Sequence, residues 1–211
     1  MRIKCLLFLV IAVMCMPLTA RVSDAKAVAL LDKLVATMKA DAPLQMDYSY
    51  TLCDDEGVLL QKDNGIVVID GARYALLMEN MKVWCDGETQ WSYSSDINEI
   101  YITEATSDAA QNLSPLYVVE YYRNEYVASF VEKGSEVLVT LRSPVSESDV
   151  DAVELLVSKQ TGRLIEMKVS MRGQGLLCVA LNDYIANCGA TEGEFVCPVG
   201  EFPSAEVVDM R

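Results

Sequence analysis

The chain has 211 residues, of which 52% are hydrophobic, and its formal net charge is −14, with 31 acidic against 17 basic side chains. Such an acidic balance argues against binding to nucleic acid or anionic lipid headgroups, because a basic patch is what binds either. Histidine is absent, which excludes Ser-His-Asp and Cys-His catalysis and removes the commonest ligand of catalytic zinc. We expect no enzyme activity, no metal site and no cofactor.

The first twenty residues (1–20) are predicted to be a cleavable secretory signal peptide. A basic start precedes the apolar run Cys5–Met16, and Ala20 is a small residue at a plausible cleavage point. The apolar run is too short to span a bilayer as a helix. Cleavage after Ala25 fits as well, and Cys15 leaves open a lipid anchor as an alternative. The protein is therefore expected to be exported.

Cysteine usage argues against a disulfide scaffold. Five cysteines follow the predicted leader: Cys53, Cys85, Cys178, Cys188 and Cys197. An odd number leaves at least one thiol unpaired. The spacing of the last three does not match a C-x-x-C metal or redox pair. One disulfide among those three remains open, and buried free thiols are expected for the rest.

Residues 21–211 are predicted to form a single domain, since no linker or internal repeat interrupts them. The domain begins with an amphipathic helix between Ser23 and Ala40, where apolar residues recur at spacings of three and four. After Pro43 the apolar period changes to two, and Met46 to Leu52 predicts a half-buried strand.

A succession of short strands follows. They are predicted at Val58–Gln61, Gly65–Ile69, Tyr74–Glu79, Met81–Cys85, Thr89–Tyr93, Glu99–Thr103, Val127–Glu132, Val137–Arg142, Val153–Ser158, Arg163–Met171, Leu176–Tyr184 and Glu206–Met210. Turn residues such as Asp63-Asn64-Gly65 separate neighbouring strands and predict an antiparallel meander. Between the two groups of strands, Ser114-Pro115 predicts the start of a second, mid-chain helix. The expected fold class is mainly β with helices.

An apolar cleft is the hypothesis that this pattern favours. A curved sheet with one apolar face and only two helices to cover it can enclose a lipid-sized pocket. Methionine suits such a lining because its thioether side chain adapts to different ligands. The candidate acyl-chain-binding residues are Tyr48, Tyr50, Leu76, Met78, Trp91, Tyr93, Met167, Val169 and Met171 on the strands, with Leu116, Val119 and Tyr122 on the mid-chain helix. An ordinary core without a cavity is the alternative.

Several segments resemble the periplasmic outer-membrane lipoprotein carrier family, called LolA-like. Residues 83–103, VWCDGETQWSYSSDINEIYIT, are similar to the segment in which that family has an Asp-Gly turn followed by alternating Trp and Tyr. Residues 194–211 resemble the ending of the family, and MDYSYTL its first strand. Residues 112–122, NLSPLYVVEYY, lie where the family has a lid helix. The resemblance covers nearly the whole chain after the leader.

The resemblance implies an incomplete antiparallel β-barrel covered by an N-terminal helix and a mid-chain lid helix. It implies a periplasmic carrier that binds the acyl chains of lipoproteins and transfers them towards the outer membrane. The partners it implies are acylated lipoproteins, an inner-membrane ABC transporter complex and an outer-membrane acceptor, and we expect a monomer. The family has an arginine that holds the lid closed, for which Arg73 is the displaced candidate here.

Three other functions remain open from the sequence. The same fold could serve a regulatory protein that senses lipids or lipoproteins in the cell envelope and signals to a membrane partner. A hydrolase based on paired carboxylates would need two acids that converge in a polar cleft. A structural envelope protein with a filled core would need no ligand at all.

Overall fold

The computed structural model describes residues 23–105, 120–121 and 124–211. Within these ranges the first regular element is helix α1 (Ala25–Ala40). The twelve strands of the described residues are β1 (Leu44–Cys53), β2 (Leu59–Asp70), β3 (Arg73–Met78), β4 (Met81–Cys85), β5 (Thr89–Ser94), β6 (Glu99–Glu104), β7 (Val127–Lys133), β8 (Glu136–Arg142), β9 (Val150–Ser158), β10 (Leu164–Met171), β11 (Gly175–Ile185) and β12 (Glu206–Asp209).

All twelve strands belong to one curved sheet with the order β12-β6-β5-β4-β3-β2-β1-β11-β10-β9-β8-β7. The two edge strands, β12 and β7, do not pair with each other, so the sheet is an incomplete barrel. This confirms the expected fold class. One pair departs from the antiparallel prediction, because β12 runs parallel to β6 with Val208 opposite Tyr101.

Strand β2 corrects one predicted turn. Asp63-Asn64-Gly65 lies inside a continuous strand, and Asp63 is paired with Tyr50 and Gly65 with Tyr48 of β1. The long partner strand supplies ladder hydrogen bonds along the whole of this segment, and these outweigh the local turn preference of Asp, Asn and Gly. The two strands predicted here are therefore a single strand.

Helix α1 is fixed at both of its ends. At its start the Asp24 carboxylate accepts a hydrogen bond from the Lys26 amide at 2.7 Å, and the Asp24 amide donates to the carbonyl of Ala128 in β7 at 2.8 Å. At its end Asp41 accepts a hydrogen bond from the Tyr184 hydroxyl of β11 at 2.8 Å. The helix thus passes from β7 at one edge of the sheet towards β11.

The sheet has two different faces. The inner face is the one that packs on α1 through the helix residues Ala27, Leu31, Leu34 and Met38, all of them buried. The outer face is partly covered by the segment that follows β11. In that segment Phe195 is fully buried, and the Phe202 ring lies 4.3 Å from the Tyr93 ring and 6.0 Å from the Trp84 ring, centroid to centroid.

All five cysteines of the described residues are free thiols. The disulfide that the sequence left open among Cys178, Cys188 and Cys197 is therefore not formed. Cys85 and Cys197 are buried, as expected for structural thiols, and the other three are half-buried. Burial raises the pKa of the Cys197 thiol to about 11, and the nearby Glu201 carboxylate adds to the increase. This thiol stays neutral at physiological pH.

Candidate functional site

The inner face carries rows of apolar side chains that run across the strands. Directly paired residues of antiparallel strands point to the same face. Met167 of β10 is paired with Leu155 of β9 and with Val179 of β11, and Val179 is paired with Tyr50 of β1. These four side chains form one row that crosses the centre of the sheet. Parallel rows lie on both sides of it.

Burial is uneven along these rows. The inner residues of β8 and β9, such as Val139 and Val153, are fully buried near the edge where α1 begins. Towards the centre of the sheet and beyond, some inner residues such as Val83 are still buried. The half-buried apolar residues of this region are Tyr50, Leu76, Met78, Met81, Met167, Met171, Leu177, Val179 and Leu181. We call this set the central apolar surface. Hydrocarbon that binds on this part of the inner face would leave water, and each buried methylene would contribute about 0.8 kcal/mol to the binding free energy.

Two tyrosines of β1 lie between the β3 and β11 residues of the central apolar surface. The rings of Tyr48 and Tyr50 lie 6.5 Å apart, centroid to centroid. The Tyr50 hydroxyl accepts a hydrogen bond from the Gln61 amide at 2.6 Å. Burial raises the pKa of the Tyr48 phenol, and the neighbouring Tyr50 and Asp63 raise it further. Both side chains are thus uncharged at neutral pH and present aromatic rings to the inner face.

The structure brings together seven of the nine strand residues predicted to bind acyl chains. Tyr48, Tyr50, Leu76, Met78, Met167, Val169 and Met171 all belong to the apolar cluster of the inner face. Leu116, Val119 and Tyr122, predicted on the lid helix, lie outside the described residues. Of the predicted lid segment 112–122, residues 120–121 are described and helical, and residues 124–125 just after it are helical as well.

Trp91 and Tyr93 lie apart from the other predicted residues. Trp91 is paired with Trp84, and Tyr93 with Ile100, in the cluster on the outer face of the sheet. The alternation of β5 is as predicted, but its apolar side faces the segment after β11 and its polar side faces the interior. Tyr93 is therefore held by its ring contact with Phe202, and Trp91 by packing with Trp84 and Ile102. Neither residue borders the central apolar surface.

Arg73 also points away from the inner face. Its guanidinium is paired with Asp70 across the turn between β2 and β3 and lies 3.7 Å from the Glu192 carboxylate. The same group stacks over the Phe195 ring, 5.1 Å from its centroid. Arg73 thus connects this turn to the segment after β11, and its contacts in the described part of the chain are not with the lid segment.

A different residue, Glu120, connects the predicted lid segment to α1. Glu120 forms an ion pair with Lys39 in the last turn of the helix, with Nζ and Oε1 2.7 Å apart. Shortly after it, the Tyr126 hydroxyl donates to the carbonyl of Val150 at 2.9 Å. Neither contact was predicted, because the partners are far apart in sequence and no local pattern indicates which charges meet.

The chain matches the sequence model of the outer membrane lipoprotein carrier protein LolA over residues 23–173. This is most of the chain. It belongs to the LolA family. The region matched runs from the start of α1 to just beyond β10, and it therefore includes most of the strands that carry the central apolar surface. Comparison with curated proteins by sequence finds no match.

Two solved structures are similar to this one in fold. An uncharacterized conserved protein from Thermus thermophilus has a TM-score of 0.58 at 12% identity, covering 87% of this chain and 99% of that chain. MucB in the Pseudomonas aeruginosa MucA/MucB complex has a TM-score of 0.50 at 14% identity, covering 83% of this chain and 62% of that chain. At these identities the likeness concerns the fold alone.

Two further features bear on what the site can hold. Among the residues that the structure describes, His, Cys, Asp and Glu side chains do not gather in groups of three or more suited to a metal ion. In the same part of the chain, no helix combines the length and the apolar character needed to cross a membrane.

Proposed function

We propose that this LolA-family protein is a periplasmic carrier that binds the acyl chains of lipoproteins on the inner face of its sheet. Its mature chain, 21–211, acts as one domain after export by a signal peptide in residues 1–20. It receives its cargo from an inner-membrane ABC transporter complex and delivers it to an outer-membrane acceptor. The protein acts as a monomer and requires no catalysis.

The central apolar surface is the observation that supports this proposal. Side chains such as Met78, Met167 and Val179 lie on the interior side of the sheet yet remain half-buried in the described structure. A continuous apolar surface of this kind is costly to leave in water, and soluble proteins retain one mainly where they bind something. Burial of even part of one acyl chain would supply several kcal/mol of binding free energy.

The composition of this surface suits cargo of variable shape. Four of its half-buried members are methionines: Met78, Met81, Met167 and Met171. Their flexible thioether side chains can repack around chains of different length and unsaturation at little cost. A carrier that serves many lipoproteins needs this adaptability, since the acyl chains are the common feature of its cargo.

Native mass spectrometry of the protein purified from a periplasmic fraction tests the proposal. We expect acylated peptides or intact lipoproteins bound in near-stoichiometric amounts, and their release after denaturation. The Met167→Glu variant, prepared in the same way, should carry none. Recovery of the wild-type protein without any acyl species, under conditions in which lipoproteins are produced, would contradict the carrier function.

A sensing role is the second candidate. MucB was solved in complex with another protein, MucA. Under the sensing role, this chain would also bind a partner protein, here one of the membrane, and would report bound lipid or lipoprotein to it. Under that role, acyl binding would change the affinity for one partner protein, and deletion of the gene would leave lipoprotein localisation unchanged. A carrier predicts the opposite result, because lipoproteins would accumulate at the inner membrane.

A further inference from the structure

The inner face changes character at β5 and β6. On β1, β3, β10 and β11 the side chains that point inward are almost all apolar. On β5 the inward residues include Gln90 and Ser92, and Thr103 of β6 is paired with Gln90. The row that contains Gln90 and Thr103 continues through Cys85 of β4 to Tyr74 of β3. The apolar surface thus ends in a polar strip, which we define as Gln90, Ser92 and Thr103.

Gln90 of the polar strip is buried, Ser92 and Thr103 are half-buried, and the hydrogen bonding of the strip is incomplete. Gln90 is only 3% exposed; its side-chain carbonyl accepts a hydrogen bond from the Tyr74 hydroxyl, and its amide donates to the Ser92 hydroxyl at 3.3 Å. The Thr103 hydroxyl oxygen is buried and has no hydrogen-bond partner in the described structure. Buried polar groups are nearly always paired, so an unpaired one requires an explanation.

We propose that the polar strip binds the uncharged ester or amide end of an acyl ligand whose hydrocarbon lies on the central apolar surface. This inference rests on the proposed function and adds the direction in which the ligand lies. The Thr103 and Ser92 hydroxyls and the Gln90 amide can all donate to a carbonyl oxygen. A hydrocarbon alone would leave the Thr103 hydroxyl without a partner, whereas an ester or amide carbonyl would satisfy it.

The geometry joins the two parts of the site without a gap. Ser92 of the polar strip is paired with Val83 of β4, and Val83 is paired with Leu76 of the central apolar surface. One short row therefore leads from a hydroxyl to apolar side chains. An acyl chain that starts at the polar strip would run over Leu76 and Met78 towards Tyr50.

The charges beyond the polar strip select against an anionic ligand. Glu99 of β6 and Glu206 of β12 are paired residues at this edge of the sheet. Tyr101, between the strip and that edge, donates its hydroxyl hydrogen bond to Glu99. A carboxylate or phosphate at the polar strip would approach these two negative charges, so neutral ends are favoured over free fatty acids and anionic phospholipids.

Ligand binding to a single variant and a matched control tests this inference. The variant Thr103→Val removes the hydroxyl and keeps the shape of the side chain. The control is Thr140→Val, the same change on β8. Thr140 alternates with the inner residues Val139 and Leu141, so its side chain faces outward. The probes are 1-monopalmitoylglycerol, palmitate and the purely apolar fluorophore N-phenyl-1-naphthylamine. We expect wild type to prefer the monoglyceride to palmitate. Thr103→Val should weaken monoglyceride binding about tenfold, as loss of one buried hydrogen bond does, and leave fluorophore binding unchanged.

The outcomes separate the two proposals. Equal affinity of wild type and Thr103→Val for the monoglyceride, with fluorophore binding intact, would overturn the polar strip but not the carrier function. A wild-type protein that binds neither the monoglyceride nor the fluorophore would overturn both. The ligand-free Thr103→Val protein should unfold at the same temperature as wild type or higher, because a buried unpaired hydroxyl is removed. If that variant fails to fold, Ser92→Ala replaces it, with an expected loss of about threefold.

Discussion

The ring of Tyr48 lies directly over Gly65 on the neighbouring strand. A Cβ atom at position 65 would be 2.4 Å from both Cζ and Oη of Tyr48 and 3.0 Å from the carbonyl oxygen of Leu77. No side chain other than hydrogen fits there while the ring keeps its position. Gly65 therefore allows the aromatic side chain to lie flat on the inner face, and Tyr48 covers the sheet where glycine has no side chain of its own.

We expect Gly65→Ala to displace Tyr48 and to lower the free energy of unfolding by roughly 1–3 kcal/mol, as overpacking in a core does. Urea denaturation followed by tryptophan fluorescence measures the change. Gly200→Ala is the control, because no atom lies within 4 Å of a Cβ at that position and its φ is not positive. An effect of equal size in both variants would contradict the packing relationship.

Gly175 at the start of β11 should tolerate substitution even less. Its φ is +92°, and a Cβ there would lie 1.9 Å from the carbonyl oxygen of Cys53 in β1. Gly173 also has a positive φ, of +65°, but no atom lies within 4 Å of its Cβ position. Gly173→Ala should therefore cost about 1 kcal/mol of stability for the backbone conformation alone. Gly175→Ala should cost roughly 3 kcal/mol or more, or prevent folding; melting temperatures of the two variants separate the contributions.

Met167→Glu should abolish acyl binding, because it places a charge in the middle of the central apolar surface, where an ionised group loses solvation when ligand binds. Binding of N-phenyl-1-naphthylamine and of an acylated peptide measures the loss. Ser170→Glu introduces the same charge on the same strand, where Ser170 alternates with the inner residues Val169 and Met171, and should leave binding within about twofold of wild type. Loss of binding in the control as well would indicate general destabilisation.

Trp91→Glu distinguishes the sequence-based interpretation of β5 from the position observed in the structure. If Trp91 bordered the ligand, the variant would lose acyl binding. Trp91 packs in the outer cluster with Trp84 and Ile102. We therefore expect the free energy of unfolding to fall by an amount on the order of 2–4 kcal/mol, as loss of a large aromatic side chain causes. The folded fraction should retain its ligand affinity. Thermal unfolding and fluorophore titration at a temperature where the variant is folded provide the two measurements.

Cys197 should make stability decrease in alkaline solution. Its pKa is about 11 in the folded protein, against an ordinary value of 9.0. The neutral thiol thus contributes its full stabilisation below pH 9. As pH rises from 9 to 11 this contribution is lost, and the free energy of unfolding falls by about 2–3 kcal/mol at most. Urea denaturation at pH 8 and pH 10.5 should show a smaller decrease for Cys197→Ala than for wild type. The half-buried Cys188→Ala is the control and should retain the wild-type decrease.

The ion pair between Lys39 and Glu120 offers a test of how the lid segment is held. Both side chains are substantially exposed, at 53% and 36%. A double-mutant cycle with Lys39→Gln and Glu120→Gln should give a coupling energy of only about 0.2–1 kcal/mol, reduced by added salt. We also expect faster release of a bound acyl peptide from each single variant. A coupling near zero at low salt would show that this pair does not hold the segment.

The local patterns of the chain were sufficient to predict most of its elements. The period-two alternation of Met46 to Leu52 and the 3–4 spacing around Leu31 and Leu34 are direct consequences of strand and helix geometry, so they are readable without tertiary contacts. The resemblance of residues 83–103 to a known family was also present in the sequence, and the family match confirmed it. The merging of two predicted strands into β2 was not readable, because it depends on the partner strand β1.

What the sequence by itself determined is thus which residues alternate and where most of the turns lie, because both depend mainly on neighbours along the backbone. The turn predicted at Asp63-Asn64-Gly65 is the exception. Only the tertiary structure decided which side of each strand meets which layer. Gln90-Trp91-Ser92-Tyr93 alternates cleanly, but a sheet covered on one face by α1 and on the other by the segment after β11 can bury either set. Packing in the outer cluster, where the Tyr93 ring meets Phe202, placed the aromatic pair on the outer face and left the Gln90 amide and the Ser92 hydroxyl inside. This choice depends on contacts between residues about a hundred positions apart, which no local pattern records.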